Sequence, residues 1–385
     1  RYASLAAAIT AAQANDVITF VNDITEDVTI GKSITIDGAG KKYTGNIQVK
    51  GNSAVATIKN VNFVNGTGYA VTTNTINSVT VENCTVTNYV YGFLYANKST
   101  SKVMVKGVTV DGAQSGLNWN YGNTATLENV VMTNVTYGIY TRNFGTKTFT
   151  INNCNIDATT PIYIDEKGTA RQTFAFEGVN NLGKTPTELS LSQYAVIKGA
   201  TIEGSTLYGS VQGMVAKAET GKTVKLLSDI TMETSDELAS CDGYPSFVHL
   251  EGKAVTVDLN GKAITANATA EELAGKMLIG VFSTDKGGEL TLVDSSAEGT
   301  GSVTLNANDA KVYSLLCNYN PGCKITVNGG TYTADKVSDC LIFSGAQVDD
   351  LVTINGGNFT LGNVGTGENG KPWIFNVLGA GDNHV

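Results

Sequence analysis

The chain has 385 residues, of which 16% are charged and 42% hydrophobic, with 43 glycines and a formal net charge of −9. This balance excludes a disordered chain, and the abundance of Gly, Thr, Asn and Val is typical of short strands joined by tight turns. The negative charge argues against nucleic acid or an anionic membrane as a partner, because both favour a basic patch. No stretch is long and apolar enough to span a membrane.

The first predicted element is a short helix. Residues 4–14 are rich in alanine, and Ser4 is a suitable N-cap residue. We expect this helix to cover the first repeat, whose strand edges and core would otherwise be exposed.

Eight repeat units follow the helix. Their starts are spaced, by subtraction, at 22, 23, 24, 22, 24, 25 and 21 residues. The third residue of every unit is Asn or Gly, and these residues adopt a left-handed backbone at the lowest cost, so we predict the same positive-φ bend in each unit. This column consists of Gly38, Asn60, Asn83, Gly107, Asn129, Asn153, Gly178 and Gly199.

The residue after each bend is small and apolar, which predicts an inward-facing column. Its members are Ala39, Val61, Cys84, Val108, Val130, Cys154, Val179 and Ala200. Cys84 and Cys154 are three units apart, about 14 Å at one strand spacing per unit, which is too far for a disulfide. We therefore predict that both are buried free thiols. The pairing of Cys241, Cys317, Cys323 and Cys340 stays open.

A second strand recurs between the bends, at residues 69–72, 91–94, 115–118, 137–140 and 160–163. Because strand side chains alternate, its inward residues are predicted as Val71, Phe93, Leu117, Ile139 and Ile162. Two strand columns that keep the same period favour a parallel sheet stacked along an axis, which is an all-β parallel β-helix, a solenoid with about 22–25 residues per coil.

The opening of the chain is repeated in its second half. Residues 16–25 match 222–231 at an offset of 206, and residues 34–41 match 255–262 at an offset of 221. This predicts two consecutive β-helical modules, 1–207 and 208–385, each opened by a short capping helix. The second module is less regular and carries an insertion near 232–250. The chain stops at Val385 without an obvious cap, and whether the sequence continues beyond it stays open.

The Asn/Gly column and the YGI strands resemble the pectate-lyase-like right-handed parallel β-helix superfamily. The repeats VNGGTYT, from Val327, and INGGNFT, from Ile354, are similar to repeats in large bacterial cell-surface, adhesin-like proteins. The resemblance implies a right-handed β-helix and a secreted or cell-surface location. The superfamily contains lyases, hydrolases, esterases, adhesins and phage spikes, so its fold alone does not define a function.

Many members of this superfamily bind sugars along the outward side of the YGI strand. Aromatic rings stack on the apolar faces of sugars, and amides and charges bind their hydroxyls. By alternation the outward residues here are Thr72, Leu94, Asn118, Tyr140 and Tyr163, followed by Asn74, Ala96, Asn120, Arg142 and Asp165. The predicted ligand-binding residues are Asn118, Trp119, Asn120, Tyr140, Arg142, Tyr163 and Asp165. The alternative interpretation is that tyrosine is simply a favourable residue on a sheet surface.

No catalytic or metal-binding set is predicted. Arg142, Asp165 and their neighbours do not reproduce the catalytic clusters of the superfamily, and we expect Arg142 and Asp165 to form a surface salt bridge. No CxxC occurs, and only His249 and His384 could join a thiolate, which argues against zinc. Surface calcium has no supporting motif, so no cofactor is predicted.

These observations predict a secreted or surface-exposed bacterial binding or adhesion protein that contacts polysaccharide or host glycan without catalysis. Two alternatives stay open: a passive structural stalk, and a polysaccharide lyase or hydrolase that uses Arg142 and Asp165. The oligomeric state is not predicted.

Overall fold

A computed structural model describes residues 1–320, 322–345, 351–363 and 372–377, without the side chains of 98–101 and 377. His384 and the chain end at Val385 lie outside the described residues. The described chain is all-β, with mostly parallel pairing and two short helices. It separates into two compact units, Arg1–Ile197 with Ser205–Tyr208, and Lys198–Gly204 with Gly209–Val385. No helix among the described residues has the length and apolar character needed to cross a membrane.

The elements up to residue 209 are one helix and nineteen strands. They are α1 (Leu5–Ala11), β1 (Val17–Thr19), β2 (Ile24–Thr25), β3 (Val28–Ile30), β4 (Thr35–Asp37), β5 (Lys42–Thr44), β6 (Ile47–Lys59), β7 (Asn62–Val64), β8 (Tyr69–Glu82), β9 (Thr85–Lys106), β10 (Thr109–Trp119), β11 (Gly122–Glu128), β12 (Val131–Arg142), β13 (Lys147–Asn152), β14 (Asn155–Asp165), β15 (Gln172–Glu177), β16 (Val179–Asn181), β17 (Ala195–Lys198), β18 (Ala200–Ile202) and β19 (Leu207–Gly209).

The remaining described elements are one helix and fourteen strands. They are α2 (Val211–Lys217), β20 (Lys222–Leu226), β21 (Ile230–Glu233), β22 (Ala239–Cys241), β23 (Tyr244–Glu251), β24 (Ala254–Asp258), β25 (Ala263–Asn267), β26 (Gly280–Asp285), β27 (Glu289–Val293), β28 (Ser302–Asn306), β29 (Leu316–Asn318), β30 (Lys324–Ala334), β31 (Cys340–Ser344), β32 (Leu351–Leu361) and β33 (Trp373–Val377).

The two helices are capped in the same way at both of their ends, as the internal duplication predicts. Ser4 and Ser210 each cap a helix by accepting a hydrogen bond from a first-turn N–H, at 3.1 and 3.0 Å. At the other end Lys32 Nζ donates to a terminal carbonyl of α1 at 2.7 Å, and Lys253 Nζ does the same for α2. A cation near the carbonyls of a helix C-terminus is favourable. Lys32 and Lys253 are 221 positions apart, the offset found in the sequence.

The predicted bend column is confirmed at six of its eight positions. Asn60, Asn83, Gly107, Asn129, Asn153 and Gly178 all have φ between 52° and 59°. Gly199 has φ 138°, and in the first unit the left-handed residues are Ala39 and Gly40 in place of Gly38. A second column of left-handed residues, which the sequence analysis missed, lies at Asn65, Asn88, Gly112 and Asn134.

The second strand column confirms parallel pairing and corrects one register. Leu117 pairs in parallel with Ile139 on one side and with Leu94 on the other, and Leu94 pairs with Val71. Phe93 is buried, as predicted, but Leu94 and not Phe93 occupies the position that pairs with Val71 and Leu117. A register shift between Ala113 and Ser115 adds one residue to β9, which moves every later side chain of that strand by one position.

Stacked apolar side chains fill the core of the first unit. Cys84 and Cys154 are buried free thiols, as predicted, within the small apolar column. Aromatic rings add to this core, including Trp119, which packs edge-on against Phe149 at a centroid distance of 5.8 Å. All six cysteines are free and buried, which answers the open question about the four in the second half of the chain.

The insertion near 232–250 forms a hairpin that begins a separate six-stranded sheet. Strands β22 and β23 pair antiparallel around Asp242 and Gly243, whose φ values of 49° and 84° suit a tight hairpin turn. Strands β26, β29, β31 and β33 then add to β23 in parallel. This sheet brings residues of the insertion next to strands far along the chain.

Candidate functional site

The outward side of β8, β9, β10, β12 and β14 carries a column of large polar and aromatic side chains. The register places Thr72, Tyr95, Asn118, Tyr140 and Tyr163 side by side, one on each strand. Neighbouring strands are about 4.8 Å apart, so the side chains in this column are close neighbours. We call this surface the tyrosine face, and it comprises Tyr69, Tyr91, Tyr95, Asn118, Tyr137, Tyr140, Arg142, Tyr163 and Asp165.

One end of the tyrosine face is a group of three tyrosines held by asparagines. The ring of Tyr69 stacks on that of Tyr95 at 5.0 Å and lies 6.0 Å from that of Tyr91. Asn118 Nδ2 donates to the Tyr69 hydroxyl at 2.7 Å, and Asn120 Nδ2 donates to the Tyr95 hydroxyl at 2.8 Å. Burial raises the pKa of Tyr69, so its hydroxyl stays protonated at neutral pH.

The other end is a second group of three tyrosines. The rings of Tyr137, Tyr140 and Tyr163 lie 5.1 to 5.5 Å from one another. Tyr163 is 39% exposed, so a large part of its ring faces solvent. Packed rings of this kind lose little side-chain freedom when a ligand binds, which favours affinity.

A charged group borders the second tyrosine group. Asp165 Oδ2 accepts a hydrogen bond from the Tyr140 hydroxyl at 3.0 Å and lies 3.3 Å from Arg142 Nε. The predicted salt bridge between Arg142 and Asp165 is therefore confirmed, and Lys167 Nζ lies 3.6 Å from the other carboxylate oxygen. Burial, and then the hydrogen bond to Asp165, raise the pKa of Tyr140.

The guanidinium of Arg142 stays charged in this setting. Burial by itself would lower the pKa of Arg142, but the hydrogen bond to Tyr140 and the charge of Asp165 outweigh it, and the net pKa is raised. Tyr140, Arg142 and Asp165 thus form a fixed donor and acceptor group beside the exposed rings.

An open groove adjoins this charged group. Its volume is about 580 Å³, and its lining includes Tyr163, Asp165, Lys184 and Glu188. One wall is the outward side of β14, and the other is the loop that contains residues 184–192. Within the groove Glu166 accepts a hydrogen bond from the Ser192 hydroxyl, which ties this loop to the end of β14.

Two predicted ligand-binding residues are not available to a ligand. Trp119 has no exposed surface, because alternation turns it inward between Asn118 and Asn120. Asn120 is only 5% exposed, since Tyr95 covers it, and it acts by holding the Tyr95 hydroxyl. The prediction that these two side chains contact a ligand is wrong, as is the outward placement of Leu94 and Ala96, which are both buried.

Several aromatic residues of this surface were not among the predicted ligand-binding residues. Tyr69, Tyr91 and Tyr137 begin three of the five strand units, and this repetition was the signal that could have identified them. Next to the tyrosine face, Tyr121 and Phe144 form a stacked pair with a centroid distance of 5.8 Å, and each is nearly half exposed. This pair extends the exposed aromatic surface.

A different cluster of potential ligands lies in the second unit. Ligand atoms of Cys241, His249 and Asp285 lie within 4.8 Å of one another. No metal site was expected here, because the sequence has no CxxC motif and few histidines. The three residues come from strands β22, β23 and β26, so their spacing along the chain carries no metal-binding signal.

Comparison with known proteins gives no family assignment. No family model matches the chain, and no curated protein matches it. A solved structure, that of the PL6 family alginate lyase AlyGC, aligns at 11% sequence identity with a TM-score of 0.16, covering 92% of this chain and 78% of that one. A TM-score of this size establishes neither a shared fold nor a shared activity.

Proposed function

We propose that the chain is a right-handed parallel β-helical protein, secreted or surface-exposed on a bacterium, that binds polysaccharide or host glycan along the tyrosine face. The fold proposal is supported by parallel strand pairs that recur at a near-constant interval, such as Leu94, Leu117, Ile139 and Ile162 in one column. The proposed location is supported by the similarity of the NGG repeats to those of bacterial surface proteins.

The observation that carries the binding proposal is the packing of Tyr140 against Tyr163, which lines the groove. Their rings lie 5.2 Å apart, Tyr163 is substantially exposed, and Arg142 and Asp165 stand beside them. Rings that offer an apolar face, next to fixed donors and acceptors, match the two kinds of surface on a sugar. Asn118 and Asn120 hold the first tyrosine group in a similar way.

The chemistry of this surface favours a glycan over other ligands. The net charge of −9 argues against a nucleic acid, whose phosphates require basic residues. The groove is lined by both acidic and basic side chains, including Asp165, Glu166 and Lys184, so it is not an anion site. A surface that extends over five strands, four of which carry tyrosines, suits a chain-like ligand better than a compact small molecule.

The test is binding to a glycan and polysaccharide array, followed by calorimetry with the glycan that is identified. We expect the double variant Tyr140→Ala/Tyr163→Ala to bind at least ~10-fold more weakly, a loss of about 1.4 kcal/mol. Tyr2→Ala is the matched control, because Tyr2 is 63% exposed and lies outside the tyrosine face. The control should bind like the unmodified chain.

Three outcomes would overturn the proposal: no glycan bound by the unmodified chain, equal binding by the double variant, or equal loss in the control. The first outcome would favour a passive structural role. The same samples should be assayed for new reducing or unsaturated chain ends. Turnover that disappears in Arg142→Ala would replace the binding proposal with a lyase or hydrolase.

A further inference from the structure

Three side chains of metal-binding type converge on one face of the six-stranded sheet. His249 on β23 and Asp285 on β26 share this face, because His249 pairs with Ser283 and Glu251 pairs with Asp285 in a parallel register. The hairpin of β22 and β23 brings Cys241 to the same place, within 4.8 Å of both. Cys241 and Asp285 are buried, and the His249 side chain is only 9% exposed.

The hydrogen bonds around His249 define which of its ring nitrogens is available. Ser283 Oγ donates to Ser246 Oγ at 2.8 Å and lies 3.0 Å from His249 Nδ1. Because the Ser283 hydroxyl proton is engaged with Ser246, Ser283 accepts the proton of Nδ1–H, and the neutral imidazole carries its lone pair on Nε2. This Nε2 atom is fully buried and makes no hydrogen bond to the described residues, since Glu251 Oε2 lies 3.7 Å away, beyond hydrogen-bond distance.

A buried imidazole nitrogen without a partner is costly unless something binds it. Metal-binding histidines are generally oriented by an oxygen acceptor on the other ring nitrogen, and the Ser283 hydroxyl is placed to act as that acceptor. Asp285 is held in a comparable way, since its Oδ1 accepts from the backbone N–H of Lys286 at 2.6 Å and from Asn320 Nδ2 at 2.7 Å. Two of the three side chains are thus oriented before any ion arrives.

We propose that Cys241, His249 and Asp285 bind a divalent transition-metal ion, with Zn²⁺ the best match to this ligand set. A thiolate, an imidazole and a carboxylate together select a borderline-soft ion and disfavour Ca²⁺ and Mg²⁺, which prefer oxygen ligands. Three protein ligands leave a fourth position of a tetrahedral ion open. Glu251, whose Oε2 lies 3.7 Å from His249 Nε2, stands at the solvent side of the cluster.

Metal binding requires a small contraction of the cluster and loss of the thiol proton. Ligand atoms on a tetrahedral Zn²⁺ are separated by roughly 3.5 Å, given bond lengths of 2.0–2.3 Å. Burial raises the pKa of the Cys241 thiol to about 12, so the metal-free site holds a neutral thiol. A bound divalent cation stabilises the thiolate, and the displaced proton leaves to solvent.

The test uses the full chain, stripped with a chelator and dialysed, and titrated with Zn²⁺ by calorimetry and with Co²⁺ by absorbance. We expect one ion per chain and a thiolate-to-cobalt charge-transfer band. Cys241→Ser should abolish the band, and His249→Gln should weaken Zn²⁺ binding at least ~10-fold, since even the loss of outer-shell partners costs 10–100-fold. Cys84→Ser is the matched control, because Cys84 is an equally buried free thiol in the first unit.

Circular dichroism checks that each variant is folded, and Ser283→Ala tests the site without removing a ligand. Its expected effect is ~10-fold weaker Zn²⁺ binding with the cobalt band retained. The proposal is wrong if the unmodified chain shows no stoichiometric binding or no charge-transfer band. It is also wrong if the band survives in a folded Cys241→Ser variant, or if Cys84→Ser loses the band to the same extent.

Discussion

Lys147 is a buried cation at the start of β13, and it makes the stability of the first unit depend on pH. Its side chain is only 2% exposed. Its Nζ atom donates to the backbone carbonyls of Arg142 and Gly145, and no carboxylate among the described residues lies within ion-pair distance. Burial therefore lowers the pKa of Lys147 to about 8, from an ordinary value of 10.5.

The pKa shift of Lys147 defines how much, and in which direction, the free energy of unfolding changes with pH. The difference of 10.5 − 8 = 2.5 pKa units corresponds to about 3 kcal/mol. Between pH 8 and 10.5 the unfolded chain holds more protons on this lysine than the folded chain does, so stability rises with pH in this window. Below pH 8 the folded protein carries the full penalty of burying the charge.

We expect Lys147→Met to be more stable than the unmodified chain at pH 7, because it removes the buried charge. Two lost hydrogen bonds to carbonyls offset part of this gain, at about 1 kcal/mol each. The diagnostic result is the unfolding free energy of Lys147→Met minus that of the unmodified chain, which should fall by about 2–3 kcal/mol between pH 7 and pH 10.

The assay is urea unfolding across this pH range, followed by tryptophan fluorescence in a Trp373→Phe background, so that the signal comes from Trp119 in the core of the first unit. Lys41→Met, at an exposed lysine, controls for the loss of one surface charge. A difference between Lys147→Met and the unmodified chain that stays constant from pH 7 to pH 10 would refute the reasoning. It would show that Lys147 reaches water in the folded protein.

Three further substitutions test the fold by urea unfolding. Asn129→Ala should destabilise the folded chain by about 1 kcal/mol, because φ is 53° at this position. Asn129→Gly should not destabilise it, because glycine adopts this backbone freely. Equal losses in the two variants would contradict a left-handed bend. Gly122→Ala should cost about 1–3 kcal/mol of unfolding free energy, since its Cβ would lie 2.2 Å from the Trp119 ring. Gly145→Ala is the control, because its Cβ meets nothing within 4 Å and the change should be neutral. A neutral Gly122→Ala would contradict this packing. Asn180→Ala removes three hydrogen bonds, two of them fully buried, and should cost about 2–3 kcal/mol. A loss under 1 kcal/mol would indicate that water replaces them.

Much of the fold could be predicted from the sequence because its signals are local. The left-handed column is visible as Asn or Gly at a fixed position, since few other residues adopt that backbone at low cost. The helix N-caps at Ser4 and Ser210 depend on neighbours three residues away. Each of these features needs only a short stretch of chain.

The candidate site could be predicted only in part. Tyr140, Arg142, Tyr163 and Asp165 were identified correctly as neighbours on one surface, because alternation holds within β12 and β14. Tyr95 was missed, because an extra residue in β9 shifts the alternation there.

The sequence by itself determined the period, most of the bends and most of the inward apolar positions, since these depend on residue type and spacing alone. Two members of the small apolar column differ, because Ala39 is exposed and Val179 is only half-buried. The tertiary structure decided which side chains meet. In the folded chain Asn120 is buried beside Tyr95, and Trp119 lies in the core. Cys241, His249 and Asp285 come together from three strands. The physical reason is that bulges and strand pairing join residues distant along the chain, and no local preference records where those contacts form.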